Sequence, residues 1–351
     1  MSKLMIKLTP LEPYFFGGER IFEFEGNNKH YFIRSLDTPS QTTLFGALRY
    51  IGIRNPEKGF RLDNEDKANI GSDSFRINDV EKNNFGKIVS ISPLFLFGEN
   101  EGFLIKTPLD HQSKCECGKF ENAEYTPFEK YSESVQTVNG MRCFPLEYDA
   151  KVGLANSWLS LKNRSVFTNL FHSVTRVGID KIQTEKAFFK KEFRQLESGF
   201  SFVFFAEVKE GFKPFQNVVY LGQGKSPFKV EWLEDEEEPV VPSKLFRKGM
   251  LYAQSDIYVK KAAQLTCGIY EKCKFVCAET RDFRVFYTNY DRAATVTNRF
   301  QKSGNIQLIQ AGSMFLPRDD EVNTVASEIQ DTYEHAAKAG FNKIIIGGNA
   351  L

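Results

Sequence analysis

Short segments in which apolar and polar side chains alternate recur along this chain, and they limit its fold more than any other feature. Near the start, Leu4, Ile6 and Leu8 alternate with their neighbours. Alternation with a period of two is typical of a β-strand that buries one face. Residues 187–196 and 199–209 repeat the pattern on either side of a serine-glycine turn. They predict a β-hairpin.

Helical periodicity is confined to a few segments. Ser40 is a suitable N-cap for a helix whose apolar stripe covers residues 43–51. Residues 323–340 carry the clearest helical stripe, with Gly340 where a C-terminal glycine belongs. A third helical pattern is visible at 163–174. Because these few helices lie among many strand patterns, the sequence predicts an α+β fold.

Polar and irregular stretches interrupt the regular patterns. Residues 86–107 predict a pair of strands that turn at Gly98–Gly102. Before and after them, residues 57–84 and 108–150 are predicted to be loop-like insertions. Near the C-terminus, 343–348 (KIIIGG) predicts a buried strand.

The length of the chain allows two domains. Its 351 residues are enough for two separate cores. Residues 234–238 form an acidic run that ends at Pro239. This run is a candidate boundary between an N-terminal domain (1–238) and a C-terminal domain (239–351), although a solvated loop within one domain explains it as well.

The composition is that of a globular protein without a membrane segment. Hydrophobic residues make up 41% of the chain, and there is no run of 18 apolar residues or signal peptide at the start. We therefore expect a cytoplasmic protein. Because the net charge is +1, any recognition of phosphates must come from local basic patches.

The aromatic content is high, with 34 phenylalanines. The simplest explanation is a phenylalanine-rich core, and only a small subset of rings would stack on RNA bases. Tyr14, Phe15 and Phe16 form a candidate stacking group, for which core packing is the alternative.

Six cysteines in a cytoplasmic chain are not expected to form a disulfide framework. Cys115, Cys117, Cys273 and Cys277 are weak candidates for a four-thiolate zinc site. Their spacing departs from the usual pairs of C-x-x-C, so unbound thiols are the simpler interpretation. We expect no metal and no other cofactor.

Residues 220–228 (YLGQGKSPF) contain the last three letters of a phosphate-binding P-loop at Gly224-Lys225-Ser226. The first glycine of that motif is replaced by Val219, and Pro227 leads into an alternating strand pattern instead of a helix. The segment therefore does not fit a P-loop. It fits a Gly-x-Gly turn, which either simply reverses the chain or lets backbone N–H groups approach an anion.

The sequence shows no catalytic motif. It contains neither G-x-S-x-G nor H-E-x-x-H, and its four histidines lie outside recognised motifs. His335 is predicted to lie on the solvent side of the last helix. We therefore expect a protein that is not an enzyme.

Several of these segments, in this order, resemble the RAMP superfamily of CRISPR proteins. Within this superfamily, the segments are similar to those of the type III-B (Cmr) effector subunits that cap the 5′ end of the guide RNA. The segments are 10–24 (PLEPYFFGGERIFEF), 37–49 (DTPSQTTLFGALR), 176–193 (RVGIDKIQTEKAFFKKEF), 221–228 (LGQGKSPF) and 311–317 (AGSMFLP).

The resemblance implies a fold and a role. The fold would be two ferredoxin-like (RRM-like) βαββαβ units with a β-hairpin thumb, in which FQNVVYL (215–221) is the second helix of the first unit. The role would be to hold the repeat-derived 5′ tag of the crRNA without cutting RNA. The implied partners are the crRNA, the large polymerase-like and nuclease subunit and the backbone RAMP subunits, with no membrane or small-molecule substrate.

This assignment singles out candidate RNA-binding residues on a helix, a basic loop and hairpin, and two glycine turns. They are Gly46, Arg49, Arg176, Lys181, Lys190, Lys191, Arg194, Gly222, Gly224, Lys225, Ser226, Gly312 and Ser313. Arg49 is the first choice for a phosphate contact, and Arg176 and Lys181 are predicted to flank a loop. A surface arginine or a solvated basic hairpin would be the plainer explanation for each.

Two other functions remain open on the sequence alone. One is a RAMP endoribonuclease that processes precursor crRNA, which needs a general base, usually histidine, near the glycine turn. The other is a scaffold that contacts only proteins, which the near-zero net charge favours.

Overall fold

A computed structural model of the chain describes most of its residues. The described ranges are 1–21, 31–56, 62–73, 75–77, 84–113, 125–127, 130–132, 135–137, 140–146, 156–179, 188–222, 224–259, 268–284, 286–288, 300–331 and 333–348. Strands dominate these ranges, and helices are few.

The N-terminal part of the chain, up to the acidic run, has two helices among many strands. In chain order the elements are β1 (Ser2–Pro10), β2 (Phe16–Ile21), β3 (Tyr31–Leu36), α1 (Gln41–Ile51), α2 (Asn64–Ile70), β4 (Ile88–Ile91), β5 (Phe95–Gly98), β6 (Gly102–Lys106), β7 (His111–Ser113), β8 (Tyr125–Pro127), β9 (Val135–Thr137), β10 (Gly140–Arg142), β11 (Trp158–Ser160), β12 (Val166–Phe167), β13 (Phe171–Ile179), β14 (Phe188–Leu196), β15 (Phe200–Val208), β16 (Val218–Leu221) and β17 (Ser226–Glu234).

The C-terminal part follows the same mixed pattern. Its elements are β18 (Leu251–Ala253), β19 (Ile257–Tyr258), β20 (Cys273–Cys277), β21 (Thr280–Phe283), β22 (Phe286–Thr288), β23 (Phe300–Lys302), β24 (Ile306–Ile309), β25 (Met314–Pro317), α3 (Val322–Gln330), α4 (Glu334–Lys338) and β26 (Ile344–Ile346). None of the described helices is long and apolar enough to cross a membrane.

A large antiparallel sheet of long and short strands organises the N-terminal part. Its strands run in the order β12-β11-β6-β5-β15-β1-β17-β16, and β4 also pairs with β15. β1 lies between β15 and β17 and is antiparallel to both, with Ser2 opposite Val208 and Leu8 opposite Val230. The first strand of the chain is therefore held by two strands from much later in the sequence.

The two faces of this sheet bury different cores. Leu4, Ile6 and Leu8 of β1 belong to a core that also contains side chains of α1 and of the C-terminal strands. Met5, on the other face, packs in a second core that contains Tyr252 of β18. Both faces are therefore covered, and the C-terminal part supplies residues to both cores.

Local signals set the bounds of α1 as expected. The Ser40 side chain accepts a hydrogen bond from Thr43 N, and the backbone N–H of Gly52 bonds to the last turn. Leu44 and Leu48 lie on the buried stripe. The predicted β5–β6 hairpin is also confirmed, with Gly98 opposite Gly102.

The predicted hairpin of residues 187–209 is wrong. β15 belongs to the large sheet, whereas β14 lies in a second sheet of order β13-β14-β3-β2. The hairpin partner of β14 is β13, with Phe171 opposite Leu196. The helix predicted at 163–174 is also wrong, because β12 and the start of β13 occupy that stretch. Alternation identified the strands but not their neighbours.

Several shorter predictions are corrected in the same way. Residues 57–84 include the helix α2, and Ile77 after it is fully buried. The predicted helix in FQNVVYL is instead the edge strand β16. The last helix is divided into α3 and α4, and β26 is a half-buried edge strand of the order β20-β25-β18-β26.

The predicted division into two ferredoxin-like domains at residue 238 stays a prediction. β17 ends at Glu234, at the start of the acidic run. Beyond it, Val241 and Phe246 pack against the large sheet. Buried side chains from before and after the candidate boundary thus pack in one core.

Candidate nucleic-acid interface

The glycine-rich segment forms a tight turn between two strands. β16 and β17 pair antiparallel, with Leu221 opposite Ser226. Gly222, Gly224 and Lys225 all have positive φ, at 75°, 127° and 53°. Since glycine adopts such angles at little cost, the two glycines allow the turn, and Lys225 is exposed at its tip. The turn joins two strands, and not a helix and a strand as the sequence suggested.

Gly222 also allows the turn to approach the chain at Phe15. A Cβ added to Gly222 would lie 2.2 Å from Phe15 O, closer than any side chain tolerates. Ser226 is buried and donates from its hydroxyl to Pro13 O at 3.2 Å. The Ser226 side chain therefore anchors the turn to the protein, and the predicted contact of Ser226 with RNA stays a prediction.

The segment beneath this turn connects it to the second sheet. Tyr14 and Arg194 exchange both backbone hydrogen bonds, at 2.8 and 2.9 Å. The Phe15 ring lies 5.4 Å from the Phe193 ring of β14, and both are buried. Tyr14, Phe15 and Phe16 are all core residues, so core packing is the interpretation that the structure supports for this group.

Two cations, the exposed Arg176 and the half-exposed Lys191, lie on aromatic rings of this support. The Arg176 guanidinium lies 4.5 Å from the centre of the Phe193 ring. Lys191 Nζ lies 5.7 Å from the centre of the Phe15 ring. Cations over ring faces gain about 0.5–1 kcal/mol at exposed sites, which helps to hold the two side chains in place. Arg176 belongs to β13, which corrects its predicted position at a loop.

Other cations of the same sheet are held in ion pairs. Arg194 contacts Asp37 at 2.8 Å and Glu192 at 2.9 Å. Arg34 lies 3.5 Å from Glu192. The Arg194 side chain is therefore neutralised within the protein, and its predicted RNA contact has no support here. Lys190 is exposed on β14, and Lys181 lies outside the described residues.

Of the two predicted site residues on α1, one is exposed and the other is buried. Gly46 is exposed, and a Cβ built on it meets no atom within 4 Å. Arg49 is only 8% exposed, and it donates to Ile70 O at 3.1 Å and to Gly71 O at 3.2 Å. Arg49 thus joins α1 to the end of α2, and it lacks the exposed side chain that both the predicted phosphate contact and the alternative of a surface arginine require.

The second glycine turn is buried. Gly312 has a φ of 93°, and a Cβ on it would lie 2.9 Å from Thr107 O. Its carbonyl accepts from Leu109 N at 2.9 Å, and Ser313 is fully buried. The close approach predicted at Gly312 and Ser313 is therefore made to the protein's own chain and not to a surface ligand.

Two of the four zinc candidates, Cys273 and Cys277, lie among the described residues, and their thiols are hydrogen-bonded within the protein. Burial raises the pKa of both Cys273 and Cys277 to about 12. Their thiols donate to Ile269 O at 3.2 Å and to Leu109 O at 3.4 Å. No group of three or more metal-binding side chains occurs within the described ranges. Cys115 and Cys117 lie outside those ranges, so the weak zinc prediction stays untested.

The side chains of two histidines can be placed. His172 Nε2 lies 2.5 Å from Glu197 on the β13–β14 hairpin. His335 is half-buried and contacts Ile77 O, which corrects its predicted position on the solvent side.

A family model described as "CRISPR-associated protein (Cas_Cmr3)" matches residues 6–348. The chain belongs to this family. The match includes the glycine turn, α1 and the β13–β14 hairpin, and it confirms the resemblance to Cmr subunits of the RAMP superfamily. Among proteins with curated functions, none matches this sequence.

Two solved structures share the fold of this Cas_Cmr3 chain. One is a chain of "Cryo-EM structure of the Type III-B Cmr-beta bound to cognate target RNA", with 15% identity, a TM-score of 0.51 and coverage of 97% of this chain and 96% of that one. The other is from the same complex bound to target RNA and AMPPnP, with 16% identity, a TM-score of 0.50 and coverage of 97% and 95%.

The sequence analysis did not predict the tyrosines at this surface of the Cas_Cmr3 protein. Tyr220 of β16 is 55% exposed next to the glycine turn. Burial, with Tyr220 nearby, raises the pKa of Tyr50 on α1. Tyr50 therefore lies near Tyr220, which itself precedes the turn. Strand alternation in residues 218–221 could have placed Tyr220 outward, but the sequence assigned that segment to a helix.

Proposed function

We propose that this Cas_Cmr3 protein is a non-catalytic subunit of a type III-B CRISPR effector complex and holds the repeat-derived 5′ tag of the crRNA. The family assignment supports membership of a Cmr complex. The geometry of the exposed cations supports binding of an RNA backbone, because phosphates are bound mainly by lysine and arginine side chains and by backbone N–H groups.

One observation carries the proposal. Lys225, Lys191 and Arg176 are all exposed or half-exposed around one largely buried segment, residues 13–16. The segment is bonded to the glycine turn on one side and to β14 on the other. The cations thus have fixed positions on a buried aromatic support, as expected for a surface that orients a single RNA strand.

The same proposal covers the architecture and the partners. We infer two ferredoxin-like units, with the β13–β14 hairpin as the thumb that braces the guide RNA. The subunit would bridge the large polymerase-like and nuclease subunit to the backbone RAMP subunits in the cytoplasm, as part of antiviral defence. The two similar chains come from a Cmr complex bound to target RNA, which is the context that the proposal requires.

The test uses the full chain and a labelled RNA that carries the tag. Charge-neutral variants Arg176→Gln, Lys191→Gln and Lys225→Gln are combined in one protein. We expect at least a tenfold loss of tag affinity at moderate salt, since each phosphate contact adds to the electrostatic free energy of binding. Ultraviolet crosslinking of the wild type should join the tag to peptides from the glycine turn and from β13–β14.

Lys209→Gln is the matched control. Lys209 is exposed and directly follows β15. It lies near the start of β1, where Ser2 pairs with Val208, whereas the glycine turn lies near the end of β1, where Pro10 pairs with Phe228. It should bind the tag like the wild type. Equal affinity of the triple variant and the wild type would contradict the proposal. Cleavage of repeat RNA by the purified protein would instead favour the endoribonuclease.

A further inference from the structure

Three apolar side chains lie side by side at the end of the large sheet that carries the glycine turn. Tyr220 of β16 is directly opposite Pro227 of β17. Leu11 continues the register of β1 on the other side of β17, and its N–H donates to Pro227 O at 3.0 Å. Residues that are directly opposite in antiparallel strands point to the same face. Tyr220, Pro227 and Leu11 therefore form one row across three strands, called here the apolar row.

The apolar row is exposed, whereas the residues that alternate with it are buried. Val219 and Leu221, on either side of Tyr220, pack in the core that contains α1. Tyr220 therefore points to the opposite face, where it is 55% exposed, and Leu11 is 58% exposed. Pro227 between them is half-buried. Single exposed apolar residues are common, but a contiguous group beside a candidate binding turn indicates a contact surface.

The hydrogen-bond pattern brings the tyrosine and the proline close together. Val230 N donates to Asn217 O at 2.8 Å, and hydrogen-bonded pairs alternate along the two strands from that point. The Tyr220–Pro227 pair is therefore of the non-hydrogen-bonded kind, in which the facing side chains are closest. Proline suits this position because it has no N–H to donate. The two side chains thus make one continuous apolar surface.

One cation and one carboxylate at the border of the apolar row are open to a ligand. Lys225 is exposed in the adjoining turn, and Glu12, which directly follows the leucine of the row, is exposed as well. Neither forms an ion pair within the described part of the chain. Lys229, in the neighbouring cross-strand pair, is instead held by Glu231 at 2.9 Å.

We propose that the apolar row binds one nucleobase of the RNA, which stacks on the ring of Tyr220. Stacking of unpaired bases on aromatic side chains is a main mode of single-stranded RNA recognition. A nucleotide also has a phosphate for Lys225 and edge N–H groups suited to an exposed carboxylate such as Glu12. A purely apolar peptide segment would use neither charge. This inference rests on the proposed function and adds a base contact beside its phosphate contact.

The experiment couples a single ring to a single base. Full-length wild type and Tyr220→Leu are titrated with tag RNAs in which one nucleotide at a time is abasic, so that every phosphate is kept. For the wild type, one abasic position should lower the affinity by about tenfold, within the range of base–aromatic stacking. Tyr220→Leu, which keeps an apolar side chain without the ring, should show that loss on unmodified RNA and no further loss at that position. Tyr220→Phe should bind like the wild type.

Two control variants separate the base contact from other effects. Leu233→Ala removes a side chain that is 50% exposed on the same face of β17, at the far end of the strand. It should remain as sensitive to the abasic position as the wild type. Lys225→Gln should lower the affinity for every RNA by a similar factor, while the loss at the abasic position persists.

A crosslinking measurement keeps the inference testable if Tyr220→Leu does not fold, as judged by circular dichroism. The wild type is irradiated with tag RNAs that carry 5-iodouridine at one position at a time. One position should crosslink to the peptide that contains Tyr220. Crosslinks to other peptides alone would overturn the inference.

The outcomes are distinct. If the wild type does not bind the tag, the proposed function and this inference both fail. If it binds but no abasic position is coupled to Tyr220, only this inference fails. If Tyr220→Leu binds every RNA like the wild type but no longer co-purifies with the other subunits of the effector complex, the apolar row is a protein contact and the base assignment is overturned.

Discussion

The two predicted glycine turns of this protein have opposite surroundings. At Gly222–Ser226 the turn carries an exposed lysine at its tip, whereas at Gly312–Ser313 the turn is buried. In both, a glycine with positive φ lies against a carbonyl of another segment, Phe15 O in the first and Thr107 O in the second. The glycine pattern therefore indicates a close approach, but not whether protein or ligand is approached.

The difference lies in what the turn leaves outside. The exposed side chain of Lys225 has no partner among the described residues, so its charge is available to a ligand. The carbonyl and hydroxyl of the buried turn are used within the protein, since Gly312 O accepts from Leu109 N and Ser313 donates to Gln310 O at 2.7 Å. A phosphate can therefore be bound by the first turn, whereas the second holds the chain together.

The largest effect is expected in the reactivity of Cys277, which lies beside the buried turn. Its thiol donates to Leu109 O, and Leu109 N donates to Gly312 O. Because burial raises its pKa to about 12, compared with an ordinary value of 9.0, its thiolate fraction at pH 8 falls about a thousandfold. Iodoacetamide labelling followed by peptide mass spectrometry should show correspondingly slow modification. Rapid labelling would show that the turn is open.

Gly312→Ala should break the buried turn. Its side chain would meet Thr107 O and force a residue with a Cβ into a positive φ. We expect a loss of about 2–5 kcal/mol in the free energy of unfolding, measured by urea denaturation. Gly304→Ala is the control, because a Cβ there meets nothing within 4 Å. Equal stability of both variants would contradict the assignment.

Arg49→Met tests whether the helix arginine serves the protein or the ligand. The change removes donors to Ile70 O and Gly71 O while it keeps an apolar stem. Loss of these charge-assisted bonds should cost about 2 kcal/mol of stability. The salt dependence of tag binding should stay unchanged, measured at a temperature where the variant is folded. A reduced salt slope would restore Arg49 as a phosphate contact.

Lys225→Gln should have the smallest effect on stability and a measurable effect on binding. Its side chain is exposed, so the free energy of unfolding should change by less than about 0.5 kcal/mol. One lost phosphate contact should reduce the slope of log affinity against log salt by about 0.7 on single-stranded RNA. If the salt slope of the variant equals that of the wild type, Lys225 makes no phosphate contact, and this turn, like the buried one, serves only the fold.

Sequence patterns identified local structure better than long-range pairing. The ends of α1 follow from Ser40 and Gly52, whose capping groups lie within a turn of the helix they cap. The partners of β14 could not be predicted, because alternation specifies which face is buried and not which strand lies alongside. The strand β16 was predicted as a helix because the implied ferredoxin-like unit needs one at that place.

The site was predicted in outline and corrected in detail. The Gly-x-Gly turn and the basic β14 were visible in the sequence, since glycine and charge are local signals. The burial of Arg49 and the pairing of Arg194 with Asp37 depend on segments that are distant in sequence.

The position of β1 has a consequence for how the chain is made. Its partners, β15 and β17, begin at Phe200 and Ser226, so both lie far downstream. At about 5–20 residues per second, a ribosome needs roughly 10–40 seconds to supply the first partner. During that interval the apolar side chains of β1 have no sheet to join. The nascent protein is therefore most prone to aggregation in this period. Slower translation of the codons between β1 and β15 would prolong the period.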